Sequence, residues 1–575
     1  MEKGAGAVMC CTYGDSTDVY WTRTYNLPEK IIIDREGKFT SEAGIPEIIG
    51  KNIEEGRKIL VELFRKRGLI KKEEPITHDV GVHERCGTPI EIISIPQWFV
   101  KILEMKPKLL EAGEKINWYP PYMKTRYINW VEGLKWDWCI SRERFFGIPI
   151  PVFYCESCKK TILPDIEELP IDPRIDKKER VCPYCKSKNI KGETAVPDTW
   201  FTSSLTPDIN NLHPLNGSLI GKMYPMSMRP HGHDIIRSWT TYSILMGLLL
   251  HNNVPWKDVV VSGHILLKKG EKISKKTGGG PYDPIEISKK YSADALRYAL
   301  CGGALGKDVY FDEEEVKKGQ KLVIKVYNAG RFVLSNLRDF NPKIEIAEDS
   351  LEAIDRWILF KAKDAAAKMS KEFERYEFGR ARQIFEEFFW KDFCDNYLEL
   401  VKGRIYGKEE KLRLSAQYAL YHAYLDILKM VSPFLLHISE EIFHSYCKEL
   451  PGGRGVNLFS SKDMGYFYKF EKVMSIHQTS WPALFSEKIQ IDNKINGGAE
   501  ITLFILGEIR KAKSEVVKKL REPFNQILVI CDSEKQQLLK PFLGDIQNFA
   551  RVGQIILTSE PPSQPTPESL IILLR

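Results

Sequence analysis

Apolar positions along the chain recur with two different periods, and the change falls near residue 313. Upstream, short β-branched runs such as 259–262 alternate with segments of three- and four-residue spacing at 53–66, 235–250 and 293–300. That alternation predicts strands and helices in an α/β pattern. From 313 to about 485, long amphipathic stretches, among them 351–375 and 412–446, predict a helical bundle. Pro451, Gly452, Gly453 and Gly455 mark a loop. Residues 493–498 read as a polar, glycine-bearing linker into a small last unit. That unit should hold a strand at 501–506, a basic helix at 508–520, strands at 526–531 and 554–558, a proline-rich hinge at 561–567 and a final apolar strand. At the other end, 4–18 reads as a Gly-rich turn, a short buried strand and a polar loop. No internal repeat stands out.

Length and composition bound the answer. At 575 residues the chain has room for several domains, and 43% apolar with 28% charged residues is the balance of a globular protein with ample core. No run approaches the ~18 apolar residues of a membrane helix, the longest being 243–250, so a cytoplasmic protein is expected. Lys and Arg total 84 against 77 acids. A surplus of +7 over such a length excludes a DNA-compacting protein but permits a polyanionic partner met by local basic patches. Twelve cysteines without a secretory signal read as reduced thiols.

Four of those thiols form two Cys-x2-Cys pairs, Cys155 with Cys158 and Cys182 with Cys185. Each pair suits a knuckle turn, and two knuckles complete a closed tetrahedral S4 site for structural Zn²⁺; the rival reading is two unrelated thiol pairs or a redox disulfide. A second candidate is the run Glu271 to Lys276, EKISKK, followed by Thr277 and three glycines. Ammonium groups on a glycine hinge suit a transferring phosphate, though alone the run reads more readily as a solvated turn. Upstream lie Ser262-Gly263-His264, after an apolar strand, and His231-Gly232-His233-Asp234, opening a helix. A Gly-His-Asp at a strand end lets backbone approach a nucleotide while the carboxylate accepts ribose hydroxyls or an ammonium.

Taken in order, GAGAVMCCTYGDSTD, QWFVKI, NWVEGLKWDWCISRERFFGIPIPV, PDTWFTSSLTP, RPHGHDIIRSW, SGHILLKKGEKISKK, YSADALRYAL, FWKDFCDNYLELVKGR, PFLLHISEEIF and SIHQTSWP resemble the class I aminoacyl-tRNA synthetases of the Ile/Leu/Val group. The resemblance covers residues 4 to about 482 and is closest to the valyl branch of archaeal type, because of PDTWFTSS with GHDII. It implies a multidomain α/β and α chain. Its parts would be a partial editing domain (1–95), a return segment to the catalytic core (96–150), a zinc-knuckle insertion (151–195), the second half of a Rossmann-like catalytic domain with its lysine loop (196–312), a helical anticodon-binding bundle (313–485) and a small C-terminal α/β domain (490–575). The implied activity is valine–tRNA ligation: ATP-dependent activation of valine, with Mg²⁺, and transfer to tRNA(Val).

The resemblance also implies roles residue by residue. Trp200, Asp234 and Ile235 would hold valine, with Asp234 on its ammonium group. Gly232, His233, His264, Lys272, Ser274 and Lys275 would bind ATP, the two lysines gripping its phosphates during catalysis. Asp15 and Asp18 would serve editing of mischarged threonine, which is isosteric with valine and is rejected by a hydrophobic pocket only ~10²-fold. In the bundle, Arg356, Trp357, Lys391, Lys402 and Arg404 are candidates for tRNA, each balanced against an exposed charge or a core aromatic. The basic helix offers Arg510, Lys511, Lys513, Lys518, Lys519 and Arg521 to RNA backbone, or equally a solvated face.

Three departures qualify the resemblance. None of the eleven histidines sits in a His-x-Gly-His signature. The implied protein therefore lacks the N-terminal half of its catalytic fold and is inactive alone, with a separately encoded N-terminal half as a candidate partner and a monomeric state when complete. Lys276 stands where the family usually has Ser, Ile273 where it has Met, and Ala5 where Thr is common. The alternative reading is a non-catalytic tRNA-binding protein derived from a synthetase.

Overall fold

The computed structural model describes residues 6–83, 86–176, 178–267, 282–449, 475–482, 493–515, 526–561 and 569–574. The chain forms two compact units, Met1–Ile102 with Trp136–Thr199 and Leu103–Lys135 with Trp200–Arg575. Among the described residues, no helix is long and apolar enough to cross a membrane.

The first unit is poor in regular structure. The predicted strand near its start is absent: Val8 and Met9 are exposed, and the first element is the helix Ser16–Thr24. Asp15 explains that start, because its carboxylate accepts from the backbone N–H groups of Thr17 and Asp18 at 2.7 and 2.9 Å, the geometry of an N-cap. The helix Ile53–Lys66 forms where periodicity placed it, capped by Asn52, and Gly56 lets the Phe39 ring lie where any Cβ would collide. Around the paired cysteines, the strand Phe153–Cys155 pairs antiparallel with Thr161–Ile162 and with Ile190–Gly192. Phe153, Cys155, Ile162 and Cys182 make a miniature core, closed by Arg180 lying 4.1 Å over the Phe153 ring.

The second unit is built on a parallel sheet in the order Asn117–Tyr119, Trp256–Ser262, Met226–Gly232. Val259, Val260 and Val261 of the central strand are buried, as an uninterrupted apolar run requires of a strand covered on both faces. The outer register matters most: Val261 pairs with His231 and Ser262 with Gly232. Both candidate nucleotide motifs therefore emerge side by side at the carboxyl ends of neighbouring parallel strands, where open α/β sheets bind their ligands. A second parallel pair, Ile265–Leu266 with Val309–Tyr310, continues from the central strand.

Downstream the helices Glu313–Asn336, Ala353–Glu374, Phe378–Glu387, Leu398–Ile405, Glu410–Val431 and Leu436–Glu449 pack around one core. Phe385, Phe389, Phe393 and Tyr397 stack in a ladder of 5.5, 6.3 and 6.1 Å along the π-helical stretch Phe388–Tyr397 and the turn before it. The helical stretch expected over 412–446 divides into two helices at Pro433, which cannot continue the ladder of backbone bonds. The expected linker and strand over 493–506 are wrong: Asn493–Glu515 is one helix. Its apolar run ITLFIL reads as β only locally. The buried positions Ala499, Thr502, Ile505, Leu506, Ile509 and Lys513 recur at helical spacing and pack into the bundle core. The last sheet is parallel, with Gln526–Ile530 between Gln554–Thr558 and Ser569–Leu573.

Several residues weighed as tRNA contacts are structural. Trp357 is buried in the bundle core. Arg404 is buried in an ionic cluster: its guanidinium meets Asp355 at 2.5 and 2.8 Å and Asp545 at 2.8 Å. Lys513 is buried and donates to the Ala550 carbonyl at 3.0 Å. Arg510 donates to Asn396 and to the Asp395 carbonyl. Arg404, Lys513 and Arg510 are each committed to partners within the fold and not held out to a phosphate. Lys518, Lys519 and Arg521 lie outside the described residues, as does most of 561–567.

Candidate active site

At the carboxyl edge of the parallel sheet four side chains form a line. The strand Met226–Gly232 ends in Gly232, and the chain turns through a short 3-10 helix, His233–Ile235, into the helix Thr241–His251. On that turn the Nε2 of His233 lies 2.7 Å from Oδ1 of Asp308. Its ring stands edge-on to that of His264, with centroids 4.6 Å apart. Nε2 of His264 in turn lies 3.5 Å from Oδ2 of Asp234. The order Asp308, His233, His264, Asp234 thus sets two imidazoles between two carboxylates beside the ends of two neighbouring strands.

Two residues set the spacing. An added Cβ on Gly263 would lie 2.0 Å from the Lys307 carbonyl oxygen, so only glycine admits this approach of the 304–309 turn to the strand end. The turn is then stitched in place: Gly306 N–H donates to Val261 O at 2.8 Å, Val309 N–H to His264 O at 2.9 Å, and His264 N–H to Asp308 Oδ1 at 2.7 Å. The His264 backbone N–H and the His233 ring hold the Asp308 carboxyl below its usual range. An ionised carboxylate only accepts, so His233 carries a proton on Nε2.

His231 belongs to a different environment. It is buried, its Nδ1 donates to Gly232 O at 2.7 Å, and its Nε2 accepts from the Thr240 hydroxyl at 2.8 Å. Burial pushes its pKa down, which keeps it a neutral structural residue. The helix carrying Trp200 is fastened to the same region, since Trp239 Nε1 donates to Ser203 O at 3.0 Å and Arg229 donates to the Thr206 hydroxyl at 2.7 Å. Trp200 is 37% exposed there, Asp234 is exposed and Ile235 is half-buried. A cavity of 320 Å³ opens beside His264, lined by Gly263, Ile265, Tyr282, Ile287 and Phe311 among others. Lys272, Ser274 and Lys275 lie outside the described residues.

Residues 22–312 match the family described as tRNA synthetases class I (I, L, M and V), a span of just over half the chain. The chain belongs to this family. Residues 355–529 match the anticodon-binding domain of tRNA ligase. Among curated relatives, the valine–tRNA ligase of Thermoplasma volcanium is 36% identical over 96% of this chain and 66% of its own length. That of Thermoplasma acidophilum is 38% identical over 89% of this chain and 61% of its own. The chain spans about three fifths of the length of these relatives. A solved methionyl-tRNA synthetase of Mycobacterium tuberculosis in complex with methionyl-adenylate is similar over 67% of this chain and 69% of its own, at 19% identity and a TM-score of 0.47.

Two other groups of this class I chain sit in the first unit. The Sγ atoms of Cys155, Cys158, Cys182 and Cys185 lie within 4.8 Å of one another, with 3.5 Å from Cys155 to Cys185 and 3.6 Å from Cys158 to Cys182. A tetrahedron of thiolates around an ion at ~2.3 Å has edges of about 3.8 Å, so the donor set fits Zn²⁺. The thiols are electrostatically unequal. Backbone N–H groups, first that of Cys158, pull Cys155 down to about 6. Against the pull of the Ser187 N–H, burial and the other three thiols push Cys185 up to about 12. A bound cation would hold all four as thiolates and offset their mutual repulsion. Asp15 has its carboxylate engaged in capping, and the Asp18 carboxylate lies against Gly14, where a Cβ would come within 2.4 Å.

Asp308 was missed at the level of sequence. It stands 44 positions from His264 in the turn LGKDV, with no periodicity or paired ligand to single it out. The only trace is the Gly-rich stretch Gly302 to Gly306, which signals close backbone approach without saying to what.

Proposed function

We propose that the chain contributes the valine-recognising half of a valine–tRNA ligase. The observation that carries this reading is the pairing of Gly232–Asp234 with Gly263–His264 at the ends of adjacent parallel strands, in a chain similar to valine–tRNA ligases along most of its length. In the activation step, the valine carboxylate attacks the α-phosphorus of ATP and pyrophosphate leaves. In the transfer step, a ribose hydroxyl at the tRNA 3′ end attacks the acyl carbon and AMP leaves. Asp234 holds the valine ammonium group, while Trp200 and Ile235 bound its branched side chain. Gly232, His233 and His264 take the adenosine, for which the cavity beside His264 offers apolar walls. Lys272, Ser274 and Lys275, with Mg²⁺, take the phosphates. No covalent intermediate on the protein is needed, because positioning and electrostatics lower the barrier.

Asp15 and Asp18 serve removal of threonine, with Asp18 as the ammonium acceptor and Oδ1 of Asp15 capping the helix that carries it. Cys155, Cys158, Cys182 and Cys185 hold structural Zn²⁺, which ties the two knuckles together and leaves no open position for catalysis. The helical region meets tRNA(Val). A polypeptide of these 575 residues does not activate valine unaided, because its sequence contains no His-x-Gly-His element to complete the phosphate cradle.

Valine-dependent ATP–pyrophosphate exchange tests the reading. The purified chain should give background exchange, and addition of the N-terminal part of a relative that precedes the matched region should raise it. Robust exchange by the chain alone overturns the inactivity claim. Failure to retain tRNA(Val) over tRNA(Ile) in filter binding, with no exchange under either condition, overturns the ligase reading. Metal analysis of the purified chain should find one zinc per chain, lost on Cys182→Ser.

A further inference from the structure

We propose that Asp308 is a positioning residue for valyl-adenylate, acting through His233 and the backbone of His264. The inference deepens the ligase reading and rests on it. One oxygen of Asp308 takes two hydrogen bonds, from His233 Nε2 and from the His264 backbone N–H, each 2.7 Å long. These donors come from different strand ends, Met226–Gly232 and Trp256–Ser262. A single carboxylate oxygen therefore fixes the distance between the two turns that bracket the adenylate. It also fixes the ring: with the proton on Nε2, His233 presents Nδ1 as an acceptor and turns its edge to His264. The His264 ring, braced in this way, stands 3.5 Å from Asp234, the group that holds the ammonium of valine.

The backbone supports the same assignment. Asp308 cannot drift, because Gly306 and Val309 on either side are hydrogen-bonded to Val261 and His264. The close packing of Lys307 O on Gly263 leaves no room for a longer turn. Nothing in this arrangement builds core: the Asp308 side chain is 40% exposed. A carboxylate held by such a precise frame at a site of so little burial is placed for its neighbours' orientation and not for stability.

Two measurements on the full chain test the proposal. Long-range ¹H–¹⁵N spectra of histidine-labelled protein should report the Nε2–H form of His233, and Asp308→Asn should shift that signal while leaving buried His231 unmoved. In calorimetry, the valine sulfamoyl-adenosine analogue should bind the unsubstituted chain and lose about tenfold in affinity in Asp308→Asn, the size of one charge-assisted hydrogen bond. Asp308→Glu should recover part of both signals. Unchanged analogue affinity and an unchanged His233 signal in Asp308→Asn overturn the positioning role and leave the ligase reading intact. Absence of binding by the unsubstituted chain, both alone and with the N-terminal part of a relative added, overturns the ligase reading itself, and this inference with it.

Discussion

Two carboxylate clusters in the second unit use nearly the same chemistry to opposite ends. Around Arg404, Asp355 and Asp545 are all but inaccessible, at 0 and 5% side-chain exposure. Tyr397 and Ser415 donate to Asp355 at 2.7 and 2.5 Å, so every oxygen of that carboxylate is engaged. Around His233, Asp308 and Asp234 are 40 and 44% exposed, and each leaves an edge toward solvent. The first cluster joins the helices Ala353–Glu374 and Leu398–Ile405 to the helix Leu543–Ala550 of the terminal sheet unit. The second joins two strand ends at the sheet's edge. Burial therefore decides what a charge does here. Buried, it locks elements together; half-exposed at a strand end, it ties two turns and keeps a face in solvent.

The sharpest way to break this comparison is to remove one partner from each cluster. Asp355→Ala leaves the Arg404 guanidinium in the core with a single carboxylate and strands the Tyr397 and Ser415 hydroxyls. Breaking a buried ionic cluster by removing one partner costs about 3–5 kcal/mol, here through the stranded donors of Arg404, Tyr397 and Ser415. Asp308→Asn, in the half-exposed cluster, should cost no more than about 1 kcal/mol. Urea midpoints of the two variants decide between them. Equal losses would show that exposure does not separate the two sites.

The same contrast explains what the sequence made legible. Cys155 to Cys185 could be found because ligand spacing is local, and GHD and SGH because a strand precedes each. The strand ends then bring those two motifs together without any further signal. Arg404 could not be distinguished from Lys391 or Lys402, since a basic residue within a helix reads alike whether it faces water or an acid 141 positions away. Asp308 failed for the same reason, its partners being contributed by folding. The helix Asn493–Glu515 was hidden by β-branched residues whose period is helical only over a longer window. What stays illegible is pairing at a distance.

An intermediate effect is expected from the glycine that seats the exposed cluster. Gly263→Ala puts a methyl group 2.0 Å from the Lys307 carbonyl, and backbone cannot rotate away as a side chain can. The 304–309 turn must lift, breaking the Val309 to His264 hydrogen bond and separating Asp308 from His264. We expect a stability loss of about 2 kcal/mol, within the range for overpacking. Affinity for the valine sulfamoyl-adenosine analogue should fall further than in Asp308→Asn, because both tethers go at once. Calorimetry that finds normal binding in Gly263→Ala would mean the turn does not control the cleft.

The smallest effect sharpens the buried side. Arg404 carries one positive charge against two carboxylates, so the cluster holds a surplus negative charge, and it falls on Asp545. Burial pushes the Asp545 carboxyl up from 3.8 to about 6, with Arg404 only partly opposing. A carboxyl whose pKa is higher folded than unfolded binds its proton more tightly in the folded state. Its contribution to stability is therefore most favourable below about pH 4, declines as pH rises to about 6, and is constant and unfavourable beyond. Asp545→Asn keeps an oxygen to accept from Arg404 Nε but removes the surplus charge. It gives up the strength of a charged acceptor and gains relief from desolvation, for a net stabilisation of about 1 kcal/mol at pH 7. Denaturation of both proteins from pH 4 to 8 checks this, since the two curves should converge toward pH 4 and lie parallel above pH 6. Curves that diverge toward acid pH would place the surplus charge on Asp355, and the asymmetry of the cluster would have to be reassigned.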